Sequence, residues 1–171
     1  MKDLIDFIFL AILYVLLFFK KWKSEGKDIL FINTLMYIYL AFVFYFTLMP
    51  IITSLPFIFN HPYSPMNLIP FIDISLQRGD FMQQIGLNVI MTIPFGILFP
   101  LTKKGNEKFL KTVLYCFLLS LTIELLQPLI NGFRSSDITD LITNVSGGIL
   151  GYLLYLLFKP LITKVLSFIK G

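Results

Sequence analysis

The sequence is poor in the residues that most enzymes use to hold metals and shuttle protons. Its 171 residues include one cysteine and one histidine. A lone Cys116 permits no intrachain disulfide, and within an apolar run a thiol behaves as a small hydrophobe. His61 stands by itself in a loop, so the several His or Cys ligands of an ordinary zinc site are missing. Histidine-based phosphatase chemistry and a Ser-His-Asp triad are unsupported on the same ground. Charge is also scarce: 14% of residues are Asp, Glu, Lys or Arg, against roughly a quarter in soluble domains. Strand-like alternation is absent from the apolar blocks, which argues against a β-barrel.

Apolar residues are abundant, at 57% of the chain with a mean hydropathy of +0.82. They fall in blocks that approach or exceed the ~20 residues a helix needs to cross the hydrocarbon core. The expected fold class is therefore an all-α integral membrane protein, a single membrane domain over residues 1–171 with about five transmembrane helices. The blocks run from Leu4 to Phe19, Ile29 to Met49, Phe81 to Leu101, Phe109 to Ile130 and Asp137 to Phe158. Asp6 is expected at headgroup level, Pro94-Phe-Gly96 is expected to kink the third block, and Trp22 is expected as an interfacial anchor. Residues 159–171 read as an amphipathic tail, with Pro160 starting it and Lys164 and Lys170 set among leucine, isoleucine and valine.

Lysines give the topology. Lys20, Lys21, Lys23 and Lys27 follow the first block, Lys103, Lys104, Lys108 and Lys111 separate the third and fourth, and Lys159, Lys164 and Lys170 close the chain. Basic residues in short loops mark the cytoplasmic side, so the N-terminus is expected outside and the C-terminus and tail inside. The net charge of +4 is read as topology signal and lipid-headgroup contact, not as a nucleic-acid surface. The first block is read as a retained helix, because its lysines follow it rather than precede it.

One long segment, Thr53 to Asp80, is expected on the outer side. Pro56, Pro62, Pro65 and Pro70 forbid continuous helix there, yet Phe57, Phe59, Leu68, Ile69 and Phe71 make it too apolar for a solvated linker. It reads as a re-entrant or interfacial loop that covers the helix ends.

The polar residues concentrate near that loop. Ser120, Glu124 and Gln127 share one face of the fourth helix. Asp137, Asp140, Asn144, Gly147, Gly148 and Gly151 fall within an arc of about 100° on the fifth. Gln84 and Asn88 lie one turn apart on the third. Counting rise per residue sets Gln84, Gln127 and Asp140 at one depth and Asn88, Glu124 and Asn144 a turn deeper, which predicts one polar pocket open to the outside. Each feature also has a purely structural reading. Gly147-x3-Gly151 lets helices approach, and Asn88, Gln127 and Asn144 serve as interhelical glue. Arg134 either contacts a phosphate or carboxylate, with Arg78, or pairs internally with Asp137 or Glu124. Glu124 and Asp140 are candidate catalytic acid and base. Glu124, Asp137 and Asp140 are a weak alternative for a divalent cation; no other cofactor is expected.

Asn67-Leu-Ile-Pro-Phe71, Asn88-x5-Pro94-Phe-Gly96 and Glu124-x2-Gln127-x6-Arg134-x2-Asp137-x2-Asp140-x3-Asn144-x2-Gly147-Gly148-x2-Gly151 together resemble the VanZ-like family. The resemblance covers about residues 40–158, with Thr92 departing from the apolar run expected before Pro94. It implies a multi-pass protein of the bacterial cytoplasmic membrane, associated with resistance to teicoplanin and related lipoglycopeptides. Taken with the pocket, the leading expectation is a non-enzymatic envelope protein. Its partners are expected to be membrane lipids and a lipid-linked cell-wall precursor, lipid headgroup or lipoglycopeptide. The candidate ligand-binding residues are Asn67, Arg78, Gln84, Asn88, Glu124, Gln127, Arg134, Asp137, Asp140 and Asn144. A membrane-embedded enzyme using Glu124 and Asp140 is the alternative, and a lipid transporter a third.

Overall fold

The computed structural model describes residues 2–77, 79–102, 108–132 and 134–170; Arg78, Lys103 and Lys104 lie outside the described residues. Helices α3 (Lys27–Thr47), α5 (Phe81–Thr102), α6 (Phe109–Ile130) and α7 (Ile138–Lys170) are each long and apolar enough to cross a membrane. They expose large apolar side chains outward, among them Phe42 and Phe46 on α3, Leu110 on α6 and Leu157 on α7. A helix that is apolar on its exposed face requires lipid as its solvent. The chain is a multi-pass membrane protein. Among the described residues there is no strand, only one isolated parallel bridge, Asn67 to Asp137.

The first apolar block folds as α1 (Lys2–Leu13), a π-helical segment (Tyr14–Phe19) and α2 (Lys20–Glu25) in direct succession. Gly26, at φ 137°, turns the chain into α3; that conformation is open mainly to glycine. This first segment lies along α3. The Tyr37 hydroxyl donates to the Leu10 carbonyl at 2.8 Å and Tyr14 hydrogen-bonds Thr34 at 2.7 Å. Trp22 stacks on Phe18 with ring centroids 5.0 Å apart, beside Tyr14 and Tyr37. Asp6 is buried within the protein. It is 3% exposed, and its carboxylate accepts the backbone N–H groups of Ile51 at 2.8 Å and Ile52 at 2.9 Å. These amides follow the end of α3 and have no helical partner, so the carboxylate ties the start of the chain to that turn.

Helices α5 and α7 run side by side in the closest packing of the fold. Gly96 lies against the Gly148–Gly151 backbone, and Gly151 against Gly96 and the Ile93 carbonyl. A Cβ at Gly151 would collide with backbone, so the small residues act here as a contact surface, which is the structural reading of Gly147-x3-Gly151. Thr92, the departure in the apolar run, fits the same seam. Its hydroxyl donates to the Asn88 carbonyl at 2.9 Å and sits over Gly147. Cys116 of α6 packs beneath Gly148 and joins Met36 and Phe95 in one apolar cluster, while Val43, Leu48 and Ile123 form another.

The expected helix break at Pro160 is absent: α7 continues through it to Lys170. Residues 156–160 are exposed, so the ring meets no packed neighbour. The carbonyl it leaves unbonded, that of Leu156, is on the surface where solvent or headgroups reach it. Residues 159–170 continue α7 as one helix. Pro94 and Pro100 are likewise contained within α5.

Candidate functional site

The site is built around a proline that breaks one hydrogen bond. Pro128 lies inside α6 and has no N–H to give the carbonyl four residues earlier, that of Glu124. Ser136, fully buried, fills the vacancy by donating its hydroxyl to this carbonyl. One residue on, the backbone N–H of Asp137 donates to the Glu124 carboxylate at 3.1 Å. Glu124, at 2% exposure, thus binds the turn before α7 through both its backbone and its side chain. Asp137 in turn caps α7: its carboxylate accepts the Thr139 N–H at 2.7 Å, the ordinary role of an aspartate at a helix N-terminus.

The outer loop docks on the same turn. Asn67 accepts the Ile138 N–H and donates its own N–H to the Ser136 carbonyl, both at 2.9 Å. Its side-chain amide donates to the other Asp137 carboxylate oxygen at 2.8 Å. Four residues on, the Phe71 N–H donates to the Thr139 hydroxyl at 2.9 Å, and Phe71 holds the left-handed φ of 57°. A non-glycine residue there costs roughly 1–2 kcal/mol, offset here by docking. The short helix α4 (Ile72–Leu76) follows. The loop expected to cover the helix ends does so through these four hydrogen bonds.

Between the loop, α5 and α7 lies a cavity of about 130 Å³, with Gln84, Asp137, Thr139 and Asp140 on its polar side and Phe71 and Phe81 among its apolar walls. Asp73 adds a third carboxylate to the lining. Asn88 stands behind, its amide donating to Asp140 at 2.7 Å and to the Thr143 hydroxyl at 3.4 Å. Of the ten candidate ligand-binding residues, Asn67, Gln84, Asn88, Asp137 and Asp140 come together here.

The depth match is shifted by one turn. Asn88 is level with Asp140, not Asn144; Asn144 instead donates to Ser120 at 2.9 Å. The glycine seam sets this register. Asn88 precedes Gly96 by eight residues, about 12 Å of helix. The same rise back from Gly148–Gly151 on the parallel α7 reaches residues 140–143. Asn144 sits within the packing, at 2% exposure, with its side-chain oxygen unpartnered and the Cys116 thiol on its carbonyl at 3.6 Å.

Gln127 and Arg134 lie elsewhere. Both donate to the carbonyl of Thr47, at 3.3 and 3.1 Å, and so satisfy the last residue of α3. They line a second cavity of about 250 Å³ with Ser54 and Asn131. Among the described residues Arg134 makes no ion pair with Glu124 or Asp137, so that internal pairing does not form. The single predicted pocket is instead two, separated by the Glu124 turn. Glu124 lines neither. Among the described residues no three Asp, Glu, His or Cys side chains gather as a metal ion requires, so the geometry adds nothing to the Glu124–Asp137–Asp140 cation alternative.

Ser136, Thr139 and Thr143 were not singled out from sequence, though Pro128 was the available signal for Ser136. A proline inside a helix leaves a carbonyl that something nearby must take.

The family model for VanZ/LLP1 matches residues 36–159. The chain belongs to the VanZ/LLP1 family. It is 36% identical over 121 residues to Protein VanZ of Enterococcus faecium, a match that covers 71% of each chain. No solved structure matches it. The VanZ/LLP1 region begins at residue 36 within α3 and ends as α7 passes Phe158. It contains both cavities' polar residues and the Gly96–Gly151 seam, while α1 and α2 lie outside it.

Proposed function

We propose that this VanZ/LLP1 protein is a bacterial cell-envelope protein of the cytoplasmic membrane that binds an envelope ligand at its outer polar end and so contributes to teicoplanin and lipoglycopeptide resistance. The ligand class is a lipid-linked cell-wall precursor, a lipid headgroup or a lipoglycopeptide. In this reading the first segment is a fifth span, the N-terminus is outside and the C-terminus inside. The lysines at 20–27 and 159–170 support that orientation by the positive-inside rule.

The observation that carries the reading is the cavity beneath the docked outer loop. Asp137 and Asp140 offer carboxylate oxygens, Gln84 offers an amide, and Phe71 and Phe81 shield the space. Carboxylates between aromatic walls suit an ammonium or amide N–H donor, held by charge-assisted hydrogen bonds and by the ring faces. Carboxylates at membrane depth are retained where they act. Arg134, in the neighbouring cavity, has guanidinium N–H groups beyond the one on Thr47 and suits a phosphate or carboxylate. Glu124 serves as the brace of the turn, which favours binding over acid–base chemistry by Glu124 and Asp140.

The test is binding of teicoplanin, and separately of phosphatidylethanolamine, to the purified protein in phosphatidylcholine nanodiscs. Saturable binding that weakens about tenfold or more in Asp140→Asn supports the reading, since a hydrogen bond to a charged group contributes about 1.5–3 kcal/mol. Equal binding by wild type and variant removes the cavity from the account.

A further inference from the structure

At the opposite end of the molecule, the unbroken α7 creates a feature that a flat tail would not. Its 33 residues span roughly 50 Å, whereas the hydrocarbon core is about 30 Å thick. Lys159, Thr163, Leu166 and Lys170 recur at spacings of four, three and four and fall within an arc of about 60°. They face Asp28, Ile29 and Ile32 of α3 and the end of α5 across a cavity of about 280 Å³. Lys159 holds its ammonium 5.8 Å over the Tyr155 ring.

The surroundings say what fills it. On the outer face of the same turns Leu161 is 60%, Val165 48% and Phe168 88% exposed. Lipid covers such a face favourably, which puts these turns at lipid depth, and the cavity on their other side carries two lysines along its rim with isoleucine and leucine within. Basic pockets between helices at this side of a membrane recognise anionic headgroups. We infer that this groove is a binding site for one anionic phospholipid of the adjoining leaflet. The phosphate lies between Lys159 and Lys170 beside Thr163, and the glycerol backbone and first acyl carbons run inward along Ile29 and Ile32. Asp28, on the opposite wall, accepts a hydrogen bond from a headgroup hydroxyl and repels a second negative charge, which favours a glycerol headgroup. Lys164 stands about 140° round the helix from Lys159 and takes no part.

Native mass spectrometry of the full chain, released from micelles titrated with phosphatidylglycerol or with phosphatidylcholine of the same acyl chains, tests this. The site predicts one phosphatidylglycerol retained in preference to phosphatidylcholine. The Lys159→Gln/Lys170→Gln double variant weakens that binding about thirtyfold, at roughly 1 kcal/mol per lysine, and Lys164→Gln leaves it within about twofold. Thr163→Trp keeps every charge, fills the groove and also abolishes the preference. The inference is overturned by wild-type protein that does not distinguish the two lipids. It is equally overturned by Lys164→Gln weakening binding as much as the double variant, or by Thr163→Trp binding normally. Circular dichroism of each variant confirms the fold, and the Thr163→Trp and Lys164→Gln arms decide the matter even if the double variant unfolds. Phosphatidylglycerol at this groove is independent of the outer cavity, so either proposal can fail alone.

Discussion

Glu124 and Asp137 are joined through a backbone amide, not through their carboxylates. The Asp137 N–H donates to Glu124 at 3.1 Å, while the Asp137 side chain points to Asn67 and to the Thr139 N–H. Two acids that the sequence reading groups with Asp140 as a weak cation alternative therefore have different tasks. One braces the α6–α7 turn from inside the packing. The other caps α7 and receives the outer loop.

The division of labour predicts opposite outcomes for two substitutions at Glu124. Glu124→Gln keeps an acceptor for the Asp137 amide and is expected to fold with little loss of thermal stability. Glu124→Ala leaves that amide without its partner, at a cost of about 1–3 kcal/mol. Thermal unfolding of both in the same detergent checks this. Equal stability of the two variants contradicts a bracing role.

At Asn67 the expected effect is local. Asn67→Ala removes the side-chain bond to Asp137 but leaves the two backbone bonds of the bridge. Hydrogen exchange over residues 67–76 should accelerate, while exchange within α5 and α6 should not. Acceleration spread evenly through the helices would mean that the loop is not a separately docked unit.

The glycines give a sign test. In an open helical position, glycine to alanine stabilises by about 0.5–1 kcal/mol. Gly86 is such a position, with nothing within 4 Å of an added Cβ, so Gly86→Ala should raise the melting temperature. Gly151→Ala sets a methyl group against the Ile93 carbonyl and Gly96 and should lower it. A stabilising Gly151→Ala would show that α5 and α7 do not meet as described.

Much of this architecture is legible in the sequence, and the exceptions have physical causes. Apolar runs bounded by lysines mark α3, α5 and α6, because lipid selects for both features. The 3.6-residue period correctly puts Ser120, Glu124 and Gln127 on one buried face. Depth is less accessible, since rise per residue says nothing about how far one helix slides along another. The Gly96–Gly151 contact decides that, and it places Asn88 beside Asp140. Arg134 shows another limit. Its charge is visible in sequence, but the orphan carbonyl of Thr47 that it satisfies belongs to a helix 87 positions away. Asp6 is similar, because amides at Ile51 and Ile52 need an acceptor only once the chain has turned there.

Asp6 also yields a prediction outside the VanZ/LLP1 region. Asp6→Ala strands two backbone amides that now share one carboxylate, and hydrogen bonds to a charged group are worth about 1.5–3 kcal/mol each. A loss of several degrees in melting temperature is expected, with the first segment more open to proteolysis near Gly26. Asp6→Asn keeps one acceptor and should fall between the two. An unchanged melting temperature in Asp6→Ala would place the segment's attachment in its aromatic contacts alone.

The most direct test of the central claim is teicoplanin binding to the protein in nanodiscs, compared between wild type and Asp140→Asn, with Lys164→Gln as a distant control. The acidic cavity under the outer loop predicts saturable binding by wild type and by Lys164→Gln, and binding weakened about tenfold or more in Asp140→Asn. Indistinguishable affinities for all three, or no saturable binding to any, would contradict it.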